Sequence, residues 1–189
     1  NYTILAGYDP NKDHLAVFSE ACGAAAFDNL TDFCDFGLPD LLVISSPTSA
    51  HLKNIEFILS KGTVRFILCE KPLSDSLEDS RKIIEMCREK NVELFVNYTR
   101  RVDPGFLEIE KRISDNKIIP PYKGIVWYNK GLLHNGSHFV DLFRTLLGEI
   151  KFEQTLLANE NTRSDQKKVR QRVLQEKIRR PQQTQVEAL

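Results

Sequence analysis

Three short runs, Leu41 to Ile44, Val64 to Cys69 and Val92 to Val96, are apolar along most of their length, and segments of helical period separate them. A strand buried on both faces reads as a nearly unbroken apolar run, whereas a half-exposed strand alternates. Strands of the first kind belong to parallel sheets covered on each side by crossover helices. Between the runs, Ile55, Ile58 and Leu59 share one helical face, with Thr48 as the expected N-cap and Gly62 as the stop. Leu77, Ile83, Ile84 and Cys87 repeat the pattern, with Ser74 or Asp75 as the expected cap. Tyr2 to Ala6 reads as a further strand, Asp13 to Cys22 as a helix with Leu15, Phe18 and Cys22 on one face, and Pro104 to Asn116 as another helix. The expected class is α/β, with a doubly wound parallel sheet over about residues 1–120.

The pattern changes at Pro120-Pro121. Tyr122 to Asn129 alternates in part, like a strand of a one-sided sheet. Asn135 to Leu147 is helical, with Phe139, Leu142, Phe143, Leu146 and Leu147 apolar and Gly148 as a stop. Lys151 to Leu157 has the composition of one more strand. Residues 121–158 therefore read as the start of a second, α+β domain. Residues 159–189 turn polar and basic, and read as a disordered tail with a short amphipathic helix as the alternative.

Composition removes several classes of partner. Lys plus Arg and Asp plus Glu are equal at 26 each, so no net charge draws the chain to nucleic acid, and no aromatic platform or recognition helix accompanies the basic tail. No apolar run approaches the roughly 20 residues that cross a bilayer. A small molecule is the expected partner. Cys22, Cys34, Cys69 and Cys87 lack metal or redox spacing and read as reduced core residues of a cytoplasmic protein. The chain opens on Asn1 without a methionine, so its coding start is expected upstream.

In an open parallel sheet the ligand crevice lies at the carboxyl ends of the strands. Asp9, Ser46-Pro47-Thr48, Glu70-Lys71-Pro72 and Asn97 all fall there. Asp9 has the chemistry to accept hydrogen bonds from a ribose diol, or to cap the following helix from an Asp-Pro-Asn turn. Lys71 follows a buried strand, where desolvation favours proton exchange with a substrate hydroxyl; a solvated strand end is the other reading. Pro72 fixes the backbone, and a cis Lys71–Pro72 bond is one expectation.

His51 opens its helix near the crevice, where hydrogen bonding at the helix start is the plainer role. His14 carries no expected role. His134 and His138 stand four apart, yet no HExxH pattern and no third ligand accompany them, so no metal is expected. Capping by Asn135 or Ser137 and proton handling beside an alcohol both remain open for this pair.

The runs Ser45-Ser46-Pro47-Thr48 with His51, Leu68-Cys69-Glu70-Lys71-Pro72-Leu73, Asn97-Tyr98-Thr99-Arg100-Arg101, and Gly131 through His134 and His138 to Asp141 occur in one order. Together they resemble the Gfo/Idh/MocA oxidoreductases, the family of glucose-fructose oxidoreductase and inositol dehydrogenase, over about Tyr2 to Leu157.

The resemblance implies a Rossmann-like domain, short of its first strand here, and a following α/β domain built on a large open sheet. It implies NAD, with NADP less favoured because Asp9 would repel a 2′-phosphate. The implied substrate is a sugar or nucleotide sugar, and the implied assembly a homo-oligomer. Lys71 and His138 match the family's catalytic pair, and Asp9, Ser46, Pro47, His51, Glu70 and Asn97 its cofactor-lining positions. His134 and Arg101 fall at substrate positions, with Arg100 beside them and a salt bridge as the alternative for the arginines. The family's first strand and GxGxxG turn are expected ahead of Asn1, since Gly7 and Gly23 are isolated. Loss of that strand would expose apolar neighbours. The two functions to separate are a sugar dehydrogenase and a non-catalytic binding protein that lacks the pyrophosphate turn.

Overall fold

The computed structural model describes residues 2–150. They divide into two compact units, the first ending at Asn97 and the second starting at Tyr98. The sequence places its change of character later, at Pro120-Pro121.

The first unit alternates strand and helix: β1 (Ala6–Tyr8), α1 (Lys12–Cys22), β2 (Ala25–Phe27), α2 (Leu30–Phe36), β3 (Leu41–Ile44), α3 (His51–Lys61), β4 (Phe66–Glu70), α4 (Leu77–Glu89) and β5 (Glu93–Asn97). All pairing is parallel. β1 pairs with β2, and β3, β4 and β5 form a second sheet in that order. Ile55, Ile58 and Leu59 of α3 and Ile83 and Cys87 of α4 pack with Leu42, Ile44, Ile67 and Cys69 in one buried cluster. β3 and β4 each contribute every second residue to that cluster, as the two-residue period of a strand requires.

The opposite faces of the strands differ from expectation. Leu41, Val43 and Phe95 are about half exposed, so the β3–β5 sheet is covered on one side only among the described residues. Neither β1 beyond β2 nor β3 beyond β4 has a further strand partner there.

Several boundaries also move. The first strand is Ala6–Tyr8, not Tyr2 to Ala6, because only those residues find ladder partners on β2. β2 and α2 have no counterpart in the sequence reading. Ala-Ala-Phe is too short and too weakly β-forming to register, and α2 depends on Asn29, whose side chain accepts from the backbone N–H groups of Thr31 and Asp32. Thr48 makes no side-chain cap; it opens a 3₁₀ turn, and α3 begins at His51. Ser76, not Ser74 or Asp75, caps α4 by accepting from the Asp79 N–H. Ser74 instead donates to the Ser76 carbonyl. Cys34, Cys69 and Cys87 are buried, but Cys22 is exposed at the last residue of α1, where the helix face leaves the core.

The second unit contains a 3₁₀ turn (Thr99–Val102), α5 (Pro104–Ser114), a π-helical turn (Leu132–Gly136) and α6 (Ser137–Leu147). Asp103 caps α5 through the Gly105 N–H, with Pro104 in the first turn. Ile113 and Leu142 are its buried apolar residues among those described. The expected strand at Tyr122 to Asn129 is not formed; the segment has no ladder partner among the described residues, and Ile125 and Trp127 are exposed. The expected strand at 151–157 and the basic tail lie outside the described residues.

Candidate active site

The carboxyl ends of β1, β3, β4 and β5 carry the residues singled out from sequence, each held chiefly by the backbone around it. At the end of β1, Asp9 accepts from the Asn11 N–H at 2.8 Å through Oδ1, while Oδ2 lies 3.1 Å from His14 Nδ1. The turn reading of Asp9 is therefore real, but the cap of α1 is Asn11, whose side chain accepts from the Asp13 N–H. A carboxylate offers about four acceptor positions, and these contacts leave others for a diol. The Asn11 backbone bond, followed by the hydrogen bond with His14, holds the Asp9 carboxyl below the ordinary aspartate range.

Beyond β3, Ser46 accepts from Asn54 Nδ2 at 3.1 Å through its hydroxyl. Pro47 is exposed, and its carbonyl accepts from the Ala50 N–H. His51 lies beneath this loop, only 1% exposed. Its Nε2 is 2.8 Å from the Ser46 carbonyl, and its Nδ1 is 3.1 Å from the Leu73 carbonyl and 3.3 Å from Cys69 Sγ. Burial first, then the Glu70 charge, pushes the Cys69 thiol up to about 12, so Cys69 keeps its S–H. A ring that donates from Nε2 to Ser46 can then accept that S–H at Nδ1. Whichever tautomer is present, His51 spans the segments following β3 and β4.

The ends of β4 and β5 meet directly. Glu70 and Asn97 are register partners, and Asn97 Nδ2 donates to Glu70 Oε1 at 2.6 Å. Lys71 follows at once, partly buried, and the Lys71–Pro72 bond is cis with Pro72 buried.

In the second unit, His138 sits in the first turn of α6, 9% exposed, with the edge of the Tyr98 ring 5.7 Å from it between centroids. His134 is exposed in the preceding π-helical turn, so the two histidines differ in burial despite their spacing. Arg101 donates to both oxygens of Asp141, with Nε to Oδ2 at 2.7 Å and Nη2 to Oδ1. The salt-bridge reading of Arg101 is thus realised. Arg100 lies over the Phe139 ring, 4.8 Å from its centroid.

A family model described as an oxidoreductase family with an NAD-binding Rossmann fold, Gfo/Idh/MocA, matches residues 1–98. The chain belongs to this family. Among Gfo/Idh/MocA relatives, scyllo-inositol 2-dehydrogenase (NAD(+)) of Bacillus subtilis is 34% identical over 110 residues, which are 54% of this chain and 31% of the relative. Myo-inositol 2-dehydrogenase of Thermotoga maritima is 26% identical over 120 residues, 63% of this chain and 35% of that one. The fold is shared with the WlbA dehydrogenase of Bordetella pertussis, solved with NADH and UDP-GlcNAcA. That match has a TM-score of 0.67 at 24% identity, over 77% of this chain and 50% of the other. The chain thus spans about a third of these curated relatives and half of the solved protein.

The residues present fit one part of a bound NAD better than another. An ionised carboxylate at the end of β1 and a paired Glu70–Asn97 suit ribose hydroxyls. A glycine turn for the pyrophosphate is not among the described residues. Gly7 lies within β1, where a Cβ would fall 2.6 Å from the Phe18 ring, and Gly23 closes α1 in the left-handed region.

Sequence reasoning missed Asn54, Cys69 as a hydrogen-bonding group, and Asp141. Asp141 had a readable signal: it stands three residues after His138 on one helix face. Asn54 and Cys69 had none, since their partners lie in separate elements.

Proposed function

We propose that the chain carries an NAD-dependent dehydrogenase activity that oxidises a secondary hydroxyl of a sugar, a polyol or a nucleotide sugar. The observation that carries this is the cluster of Glu70, Lys71 and Asn97 at adjacent parallel strand ends in a family member. In the reaction the substrate O–H gives its proton to Lys71, its C–H leaves as hydride, and the carbon becomes a ketone. By the family resemblance His138 would serve as a proton-handling group as well. NAD, when bound, supplies the acceptor for the hydride.

Asp9 would hold the adenosine ribose, with Ser46 and Pro47 lining the cofactor and Glu70 and Asn97 beside the nicotinamide ribose. Ionised Asp9 favours NAD over NADP by repelling a 2′-phosphate. The inositol dehydrogenases and the UDP-GlcNAcA-bound neighbour support a polyhydroxylated ring as substrate. His134, exposed ahead of α6, would contact it. The four cysteines, none in a disulfide, suit the cytoplasm, and the family resemblance supports a homo-oligomer.

The alternative reading is a sugar-binding protein without cofactor chemistry. NADH fluorescence with the purified 189-residue chain separates the two. Saturable binding, and oxidation of myo-inositol or UDP-GlcNAcA that Lys71→Ala lowers by about 10²-fold or more, is the expected result. A chain that is folded by circular dichroism yet binds no NADH supports the second reading.

A further inference from the structure

Sequence resemblance puts Arg101 at a substrate position, but its surroundings describe a different task. Arg101 belongs to the 3₁₀ turn Thr99–Val102, and its N–H donates to the Tyr98 carbonyl at 3.0 Å. That turn brings the guanidinium to 5.9 Å from the centroid of the Tyr98 ring. The Nε and Nη2 edge is committed to Asp141, and this two-donor bond raises the arginine's affinity for its proton. Asp141 is 9% exposed, so Arg101 supplies hydrogen bonds that solvent largely cannot. One helical turn before Asp141 stands His138, whose ring meets the edge of the Tyr98 ring at 88°. The contacts close a ring: Asp141 to Arg101, Arg101 to Tyr98, Tyr98 to His138, and His138 back along α6 to Asp141.

We infer that Arg101 is a positioning residue that, with Asp141 and Tyr98, fixes the His138 imidazole for the proton step. The inference rests on the reading of His138 as a group in that step. Arg101 acts through Asp141 and Tyr98 and needs no contact with substrate. Arg100 supports the same turn from its other side through the Phe139 ring, next to His138 on α6.

The test is histidine-labelled NMR of the 189-residue chain, with the His138 ring signal assigned by its loss in His138→Gln. Arg101→Lys keeps the charge but loses the planar fork. It is expected to shift and broaden the His138 signal while leaving His14 and His51 unmoved. Arg101→Ala, Asp141→Asn and the double variant are expected to give about the same shift, because each opens the same ring. Tyr98→Leu, which leaves the ion pair intact, is expected to move His138 too, and serves if the charge variants do not fold.

Where NAD and myo-inositol give turnover, Arg101→Lys should lower kcat about 10- to 100-fold with little change in KM. A raised KM with unchanged kcat and an unmoved His138 signal returns Arg101 to substrate binding and overturns the inference. A His138 signal unmoved in both Arg101→Lys and Tyr98→Leu overturns it as well. Full turnover in His138→Gln defeats instead the reading of His138 on which the inference rests.

Discussion

The two units hold their candidate site residues by different means. In residues 2–97 the site side chains stand at the ends of parallel strands, and the main chain does most of the holding: ladder register for Glu70 and Asn97, a turn N–H for Asp9, and two carbonyls around His51. In residues 98–150 there is no sheet, and His138 is held on a helix by side chains: Tyr98, with Arg101 and Asp141 behind it. A site built on strand ends is set by the core that fixes the strands. A site built on side-chain pairs is set by the pairs themselves. Deletions should therefore hurt the first unit most when they fall far from the site, and the second when they fall within the ring of contacts.

The largest expected effect lies in the β4 core. Ile67 is fully buried at the centre of the three-stranded sheet, packed under α3 and α4. Ile67→Ala removes buried methylenes and leaves a cavity, and should cost about 2–5 kcal/mol in urea unfolding. A loss below about 1 kcal/mol would show that this sheet has room to collapse and is not what fixes the strand ends. In the second unit, Arg101→Ala should cost about 1–3 kcal/mol, mostly by leaving the Asp141 carboxylate buried without its partner. The smaller figure reflects the half-exposed arginine. If Arg101→Ala and Arg101→Lys prove equally mild, the side-chain ring is looser than the geometry implies and the contrast between the units weakens.

A third substitution probes how locally the first unit is specified. Ser76→Ala should cost about 1 kcal/mol by removing the acceptor for the Asp79 N–H at the start of α4. The neighbouring Ser74→Ala tests the cap assignment made from sequence. Equal unfolding midpoints for the two variants would mean that α4 is held by its packing against α3 and β5 rather than by its cap.

The same contrast explains what could be read in advance. Strand polarity alone located Asp9, Ser46, Lys71 and Asn97, because in a parallel sheet every strand points its carboxyl end at one edge. β3, β4 and β5 were legible from apolar runs; β2 was not, since Ala-Ala-Phe has neither length nor β-branching. The face on which Leu41 and Val43 lie was misread as covered, because an apolar run reports what a strand would bury and not what lies against it. In the second unit the sequence located His138 by motif and offered a salt bridge for Arg101 without naming its partner. Arg101 and Asp141 are 40 residues apart, and nothing local joins them. The alternation at Tyr122 to Asn129 misled for a related reason, since a strand exists only where another offers a ladder.

The smallest expected effect bears on Asp9, where local turn chemistry and ligand chemistry use one carboxylate. Its pKa is lowered, first by the Asn11 N–H and then by His14. The folded state therefore holds the deprotonated form more tightly than the unfolded chain does. The stabilisation is present in full above the unfolded value near 3.8 and is lost as pH falls through the lower folded value. Asp9 is partly exposed, so solvent screens the pair with His14 and the whole contribution should stay under about 1 kcal/mol. Asp9→Asn keeps an oxygen for the Asn11 N–H but removes the charge. Its unfolding free energy at pH 7 should fall slightly below that of the parent, and the gap should close as pH drops toward 3. A gap of constant size across that range would mean that the charge contributes nothing to the fold. The charge itself would then be available to a ribose diol at no cost to the turn, which needs only the oxygen that accepts from the Asn11 N–H.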